Sequence, residues 1–164
     1  DLTSYVKMTS KDMRLDEEFD SCFDICITSP PYPNVTDYHL YHRHRNFWLG
    51  EDPVVFGKAE IGSHLRHQKE KNGFEQYLLE MTTAIKNIQK SMSSSGLLFM
   101  VVGSGIFKGV EYNTSQAIKE KAIDMGFIHI ITINRKLPEN NRSFTGPGRR
   151  ATEEQIVVLK NGEI

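Results

Sequence analysis

The chain has 164 residues, 38% of them hydrophobic and 25% charged, the size of one average domain and the balance of a chain that buries a core. Its formal net charge of −1 excludes a global attraction to a polyanion, so any contact with nucleic acid has to come from local patches. No apolar run approaches the ~20 residues of a bilayer span, and Asp1-Leu2-Thr3-Ser4-Tyr5 has no signal-peptide pattern, which points to an intracellular, cytoplasmic protein.

In chain order, Tyr5-Val6-Lys7-Met8 reads as a short strand and residues 22–28 as a strong one. Cys22 and Cys26 lie four apart on one face of that strand, about 13 Å from each other, too far to bridge; both read as small core residues. Residues 33–72 are polar, aromatic and histidine-rich with little sustained periodicity, a longer excursion than compact domains use as a simple connection. Phe74, Tyr77, Leu78, Met81, Ile85 and Ile88 then recur at helical spacing, predicting a helix of about five turns that ends in a breaker over 91–96. A buried strand over 97–102 follows, then a helix over 111–125 closed by Gly126 and a strand over 127–133. A basic, Gly/Pro/Asn-rich loop over 134–152 leads to a final strand over 155–160. This alternation predicts an α/β fold with a mainly parallel sheet, its last pair of strands free to be antiparallel.

The segment Phe23-Asp24-Ile25-Cys26-Ile27-Thr28 stops abruptly at Ser29-Pro30-Pro31-Tyr32, which puts a rigid turn at the carboxyl end of a buried strand, where open α/β sheets build active sites. Proline has no N–H and a fixed φ, so carbonyls around Pro30 and Pro31 can serve as fixed acceptors for an amino group. Tyr32 adds a flat π-face and Ser29 a hydroxyl. Acceptors for an –NH2 group beside a stacking platform suit the exocyclic amine of a nucleobase extruded from a duplex. A Pro-rich turn after an ordinary strand is the plain alternative. His39, His42, His44, His64 and His67 match no common zinc spacing, so no metal is expected. Arg43 and Arg45 read either as contacts to DNA phosphates or base edges or as a solvated helix face. Arg135, Lys136, Arg142, Arg149 and Arg150 form a second basic cluster, a plausible DNA clamp. Gly103-Ser104-Gly105 imitates a dinucleotide loop, but Lys108 stands where its third glycine belongs, and it reads as a turn beside the motif.

Thr28-Ser29-Pro30-Pro31-Tyr32 resembles the catalytic motif of the S-adenosylmethionine-dependent amino-methyltransferases that modify cytosine or adenine in DNA. Asp37-Tyr38, the basic stretch from His39 to Arg45, Phe47-Trp48-Leu49-Gly50, Ile61-Gly62-Ser63, Val101-Val102-Gly103 and Glu154-Gln155-Ile156-Val157-Val158-Leu159-Lys160 resemble later motifs in the right order, from about Asp12 onward. The resemblance implies a Rossmann-like methyltransferase sheet in one partial catalytic domain, 1–164, with 33–72 as an inserted, DNA-contacting region. It implies catalysis at Ser29, Pro30, Pro31 and Tyr32, with the Pro30 carbonyl and Ser29 hydroxyl gripping the amine and Tyr32 stacking on the base, and with no metal or covalent intermediate. Neither cysteine follows a proline, so the nucleophile of the ring-carbon cytosine methyltransferases is absent. A serine in first position favours cytosine over adenine. Asp12, Thr28 and Ser29 take the cofactor side, Asp12 by accepting from the cofactor's adenine amine; a surface role is the other reading of Asp12.

The family's glycine-rich loop of the type aromatic-x-Gly-x-Gly after the first strand, and the acidic residue ending its second strand, do not appear here. The resemblance therefore implies the carboxyl-terminal half of an enzyme lacking its first two strands, an excised fragment or one subunit of a split enzyme in a restriction-modification setting. Its partners would be DNA with an extruded base and an amino-terminal segment or separate chain carrying the glycine-rich loop. The missing first strand would leave an apolar edge on the strand ending at Thr28. Two other functions stay open: a catalytically incomplete DNA-binding partner subunit, and an amino-methyltransferase acting on RNA or protein.

Overall fold

The computed structural model describes residues 6, 9–15, 22–33, 37–63, 72–107, 110–136 and 153–162. In chain order the elements are β1 (Phe23–Thr28), α1 (Tyr38–Tyr41), α2 (Arg43–Trp48), α3 (Pro53–Ala59), α4 (Gly73–Lys90), β2 (Met92–Gly103), β3 (Gly105–Phe107), β4 (Val110–Tyr112), α5 (Thr114–Asp124), β5 (Ile128–Lys136) and β6 (Glu153–Lys160). Four strands form one sheet in the order β1-β2-β6-β5, and β3 and β4 form a separate hairpin. β1 runs parallel to β2, while β6 is antiparallel to both of its neighbours. β1, β2 and β5 therefore point the same way, with one reversed strand inserted among them.

Pairing and pleat divide the sheet into two unlike faces. Leu98 and Met100 of β2 oppose Leu159 and Val157 of β6, and all four are fully buried. They belong to one cluster with Phe74, Tyr77, Met81, Ile85 and Ile88 of α4 and with Ile118 and Ala122 of α5. Both helices thus pack on this face. The other face carries Ile25 and Ile27 of β1, Leu97, Phe99 and Val101 of β2, and Ile131 and Ile133 of β5. Ile25 is 58% exposed and Ile27 76%, and Ile131 and Ile133 are also exposed. Among the described residues this face is largely open, and β1 is an edge strand.

The helices follow their sequence signals closely. α4 places its apolar stripe at the expected spacing across five turns. α5 starts at Asn113, whose side chain accepts from the Gln116 N–H at 3.1 Å, and its carboxyl end turns at Gly126 with φ +98°, the left-handed conformation that favours glycine. α5 consequently begins three residues later than the periodicity predicts, since Glu111 and Tyr112 pair in β4. That hairpin is fastened to α4 by aromatic packing, the Tyr112 ring stacking on Phe74 with centroids 4.1 Å apart.

Three further expectations are corrected. Among the described residues of the 33–72 excursion there are three short helices, and the clearest local signal is Asp52-Pro53: the aspartate accepts from the Val54 N–H at 2.8 Å and the proline occupies the first helical position. The 91–96 segment breaks the helix at Ser91, but residues 92–96 belong to β2, where the register shifts between Phe23↔Met92 and Ile25↔Leu97. Cys22 is exposed rather than a core residue; Cys26, partly buried, packs against the core as a free thiol that burial pushes up in pKa. The proposed strand at residues 5–8 lies outside the described residues except for Val6, which is exposed and in no strand. No described helix is long and apolar enough to cross a membrane.

Candidate active site

The turn from Ser29 to Tyr32 leaves the carboxyl end of β1, as the motif requires, and is held from several directions. Pro30 is buried and Ser29 exposed. Tyr77, a fully buried residue of α4, donates its hydroxyl to the Pro31 carbonyl at 3.1 Å. The Pro31 carbonyl thus has one of its two acceptor directions engaged by α4. Pro33 rests on Gly105, where an added Cβ would come within 3.0 Å of the Pro33 carbonyl oxygen. The Tyr32 ring lies on Gly103 at the end of β2, and an added Cβ there would sit 3.0 Å from its Cδ2 and Cε2 atoms. Gly103 and Gly105 therefore lie against the Tyr32 ring and Pro33, beside the motif.

Tyr32 also donates its hydroxyl to the Glu154 carboxylate at 2.6 Å. Burial first, and then the Glu154 carboxylate, push the Tyr32 phenol well above its ordinary pKa, the Ser29 hydroxyl acting slightly against them. The phenol is thus a neutral donor throughout the physiological range. Glu154 in turn lies 3.7 Å from Arg135, whose guanidinium is otherwise exposed.

The segment that bears Asp12 is fastened to α4: the buried Asn87 side chain donates to the Met13 and Leu15 carbonyls, both at 2.9 Å. The Asp12 carboxylate is engaged by Arg14, with Oδ1 accepting from the backbone N–H and from Nε at 3.0 Å each and Oδ2 from Nη2 at 2.6 Å. The Arg14 hydrogen bonds hold the Asp12 carboxyl below the usual carboxylate range, against the opposing effect of burial. Oδ2 keeps one acceptor direction, enough for a single amine hydrogen. Asp12 lines a cavity of about 470 Å³ together with Lys11, Tyr38, His39, Phe56 and Glu60. Across it, Glu60 accepts from the backbone N–H groups of Tyr38 and His39 at 2.7 and 3.1 Å and meets His39 Nδ1 at 2.7 Å. Burial, and then the Glu60 charge, push the Tyr38 phenol up.

Arg43 and Arg45 are both exposed on α2, which ends in Trp48, 92% exposed. Arg142, Arg149 and Arg150, like His64 and His67, lie outside the described residues. Among the described residues no group of three or more His, Cys, Asp or Glu side chains is placed to hold a metal. Tyr77, Asn87, Glu60 and Glu154 were not singled out as site residues from the sequence. Tyr77 carried a signal nonetheless, because a buried tyrosine within an apolar stripe needs a partner for its hydroxyl. The letters aromatic-x-Gly-x-Gly do occur, at Phe144-Thr145-Gly146-Pro147-Gly148, but between β5 and β6 rather than after a first strand, and outside the described residues.

No family model and no curated protein matches the chain. Solved structures do. TTHA0409 of Thermus thermophilus, "Putative DNA Modification Methylase", superposes as its selenomethionine derivative with a TM-score of 0.55 at 15% identity, covering 93% of this chain and 51% of that one. A second structure of it gives 0.55 at 17%, covering 93% and 52%. The form complexed with S-adenosyl-L-methionine gives 0.56 at 16%, covering 93% and 54%. The fold is of the Rossmann-like methyltransferase type. The chain spans about half the length of these structures.

Proposed function

We propose that the chain is the base-gripping half of a site-specific DNA methyltransferase, which transfers a methyl group from S-adenosylmethionine to the exocyclic amine of cytosine, with adenine as the alternative target. The observation that carries this is the Ser29–Tyr32 turn, fixed at the carboxyl end of a parallel strand within a methyltransferase-type sheet. An exocyclic amine is a poor nucleophile because its lone pair is delocalised into the ring. The Ser29 hydroxyl and Pro30 carbonyl accept its hydrogens and favour the tetrahedral geometry that localises the pair, and Tyr32 stacks on the extruded base. Bound S-adenosylmethionine supplies an electrophilic methyl group. Of this chain's residues, Asp12 offers one carboxylate acceptor for the cofactor's adenine amine and Thr28 and Ser29 border the methionine side. Arg43 and Arg45, with Arg142, Arg149 and Arg150, contact the DNA backbone.

The open edge at β1 and the open face beside it support a second element of the reading: a cofactor-binding half completes the sheet. It comes from further sequence of the same protein or from a separate chain. The test is methyl transfer from labelled S-adenosylmethionine by the complete protein, with DNA, RNA and protein competing as acceptors. Label in DNA that disappears with Ser29→Ala supports the reading. Label in RNA or protein refutes the substrate class, and DNA binding without transfer makes the chain a recognition subunit only.

A further inference from the structure

We propose that Glu154 is a positioning residue for the motif tyrosine, holding the Tyr32 ring on Gly103 so that its remaining surface stands ready for the base. The inference rests on the reading of Ser29–Tyr32 as a base-gripping turn. Gly103, Glu154 and Arg135 are direct cross-strand partners, one each from β2, β6 and β5, and form a row across the carboxyl end of the sheet. Tyr32 lies along this row. Its ring sits on the α-carbon of Gly103, at a depth that a side chain there would deny it. Its hydroxyl reaches one carboxylate oxygen of Glu154 at 2.6 Å, while the other oxygen faces Arg135 at 3.7 Å.

The Glu154 side chain is 13% exposed, so its carboxylate is held in a fixed direction rather than sweeping through solvent. Fixing the hydroxyl end of the ring removes a swing that the backbone of the turn alone does not prevent. A stacking platform whose orientation is set before the base arrives loses less freedom on binding. The hydroxyl is used for this purpose and is not offered to the base. Glu154 thus acts through Tyr32.

Methyl transfer to unmodified genomic DNA is measured with the complete protein, including any partner chain it requires, for Tyr32→Phe, Glu154→Ala, Glu154→Gln and the Tyr32→Phe/Glu154→Ala double variant. Glu154→Ala and Tyr32→Phe are each expected to lower kcat by about tenfold, the scale of a misplaced reacting geometry, with KM for S-adenosylmethionine little changed. The double variant is expected to be no slower than Tyr32→Phe alone, and Glu154→Gln, which keeps a carbonyl acceptor for the phenol, to retain most of the rate. Thermal melting of each variant checks that the assay sees folded protein. Multiplying effects, or a Glu154→Ala enzyme with the full wild-type kcat, overturn the positioning role while leaving the parent reading intact. A wild-type protein that transfers no methyl group to DNA overturns both.

Discussion

Tyr77 fastens the motif turn to the core through a single hydroxyl. It lies within the apolar stripe of α4 and is fully buried, and its hydroxyl ties the Pro31 carbonyl, and with it the turn, to that helix. Tyr77→Phe removes this bond without opening a cavity and strands a carbonyl, so denaturant unfolding is expected to show a loss of about 1 kcal/mol. Unchanged stability would mean that the bond is dispensable. Asp12 allows a test by pH. Its folded-state pKa is depressed by Arg14, so its contribution is fully present above the unfolded-state value and lost as pH falls through the folded one. The stability difference between the wild type and Asp12→Asn should accordingly be constant near neutrality and shrink below about pH 4. A difference independent of pH down to about 2, below the ordinary carboxylate range, would contradict the pairing.

Among the elements, strands and long helices were legible because their signals are local and repeated. The run ending at Thr28, the stripe from Phe74 to Ile88 and the Gly126 turn all appear where the sequence puts them. What was hidden is tertiary. The short helices at 38–59 have no stripe long enough to give a period, and β4 captures Glu111 and Tyr112 through pairing with β3 rather than through propensity. The motif itself was plain, whereas its supports, Tyr77, Gly103 and Glu154, come from three separate elements and converge only in the fold. The open face of the sheet was foreseen as an open edge alone. Ile27 at its rim is 76% exposed, so Ile27→Thr in the isolated chain should change stability by no more than about 0.5 kcal/mol. With the proposed cofactor-binding half docked on this face, the same change should lower melting clearly. Equal effects in the two contexts would show that nothing docks there.

At the scale of the whole molecule, the described strands make a four-stranded sheet with an open face and an edge at the strand that bears the motif, where the proposed cofactor-binding half would dock. Residues 1–164 in isolation should therefore bind S-adenosylmethionine weakly or not at all, and submicromolar binding by calorimetry would place a full cofactor site within this chain. The atom that receives the methyl group separates the proposed chemistry from every other. Nucleoside mass spectrometry of DNA treated with the complete protein and S-adenosylmethionine should reveal cytosine methylated on its exocyclic amine, and no such product with Ser29→Ala. Methylation on a ring carbon, or DNA left unmodified by a folded and cofactor-loaded protein, would contradict it.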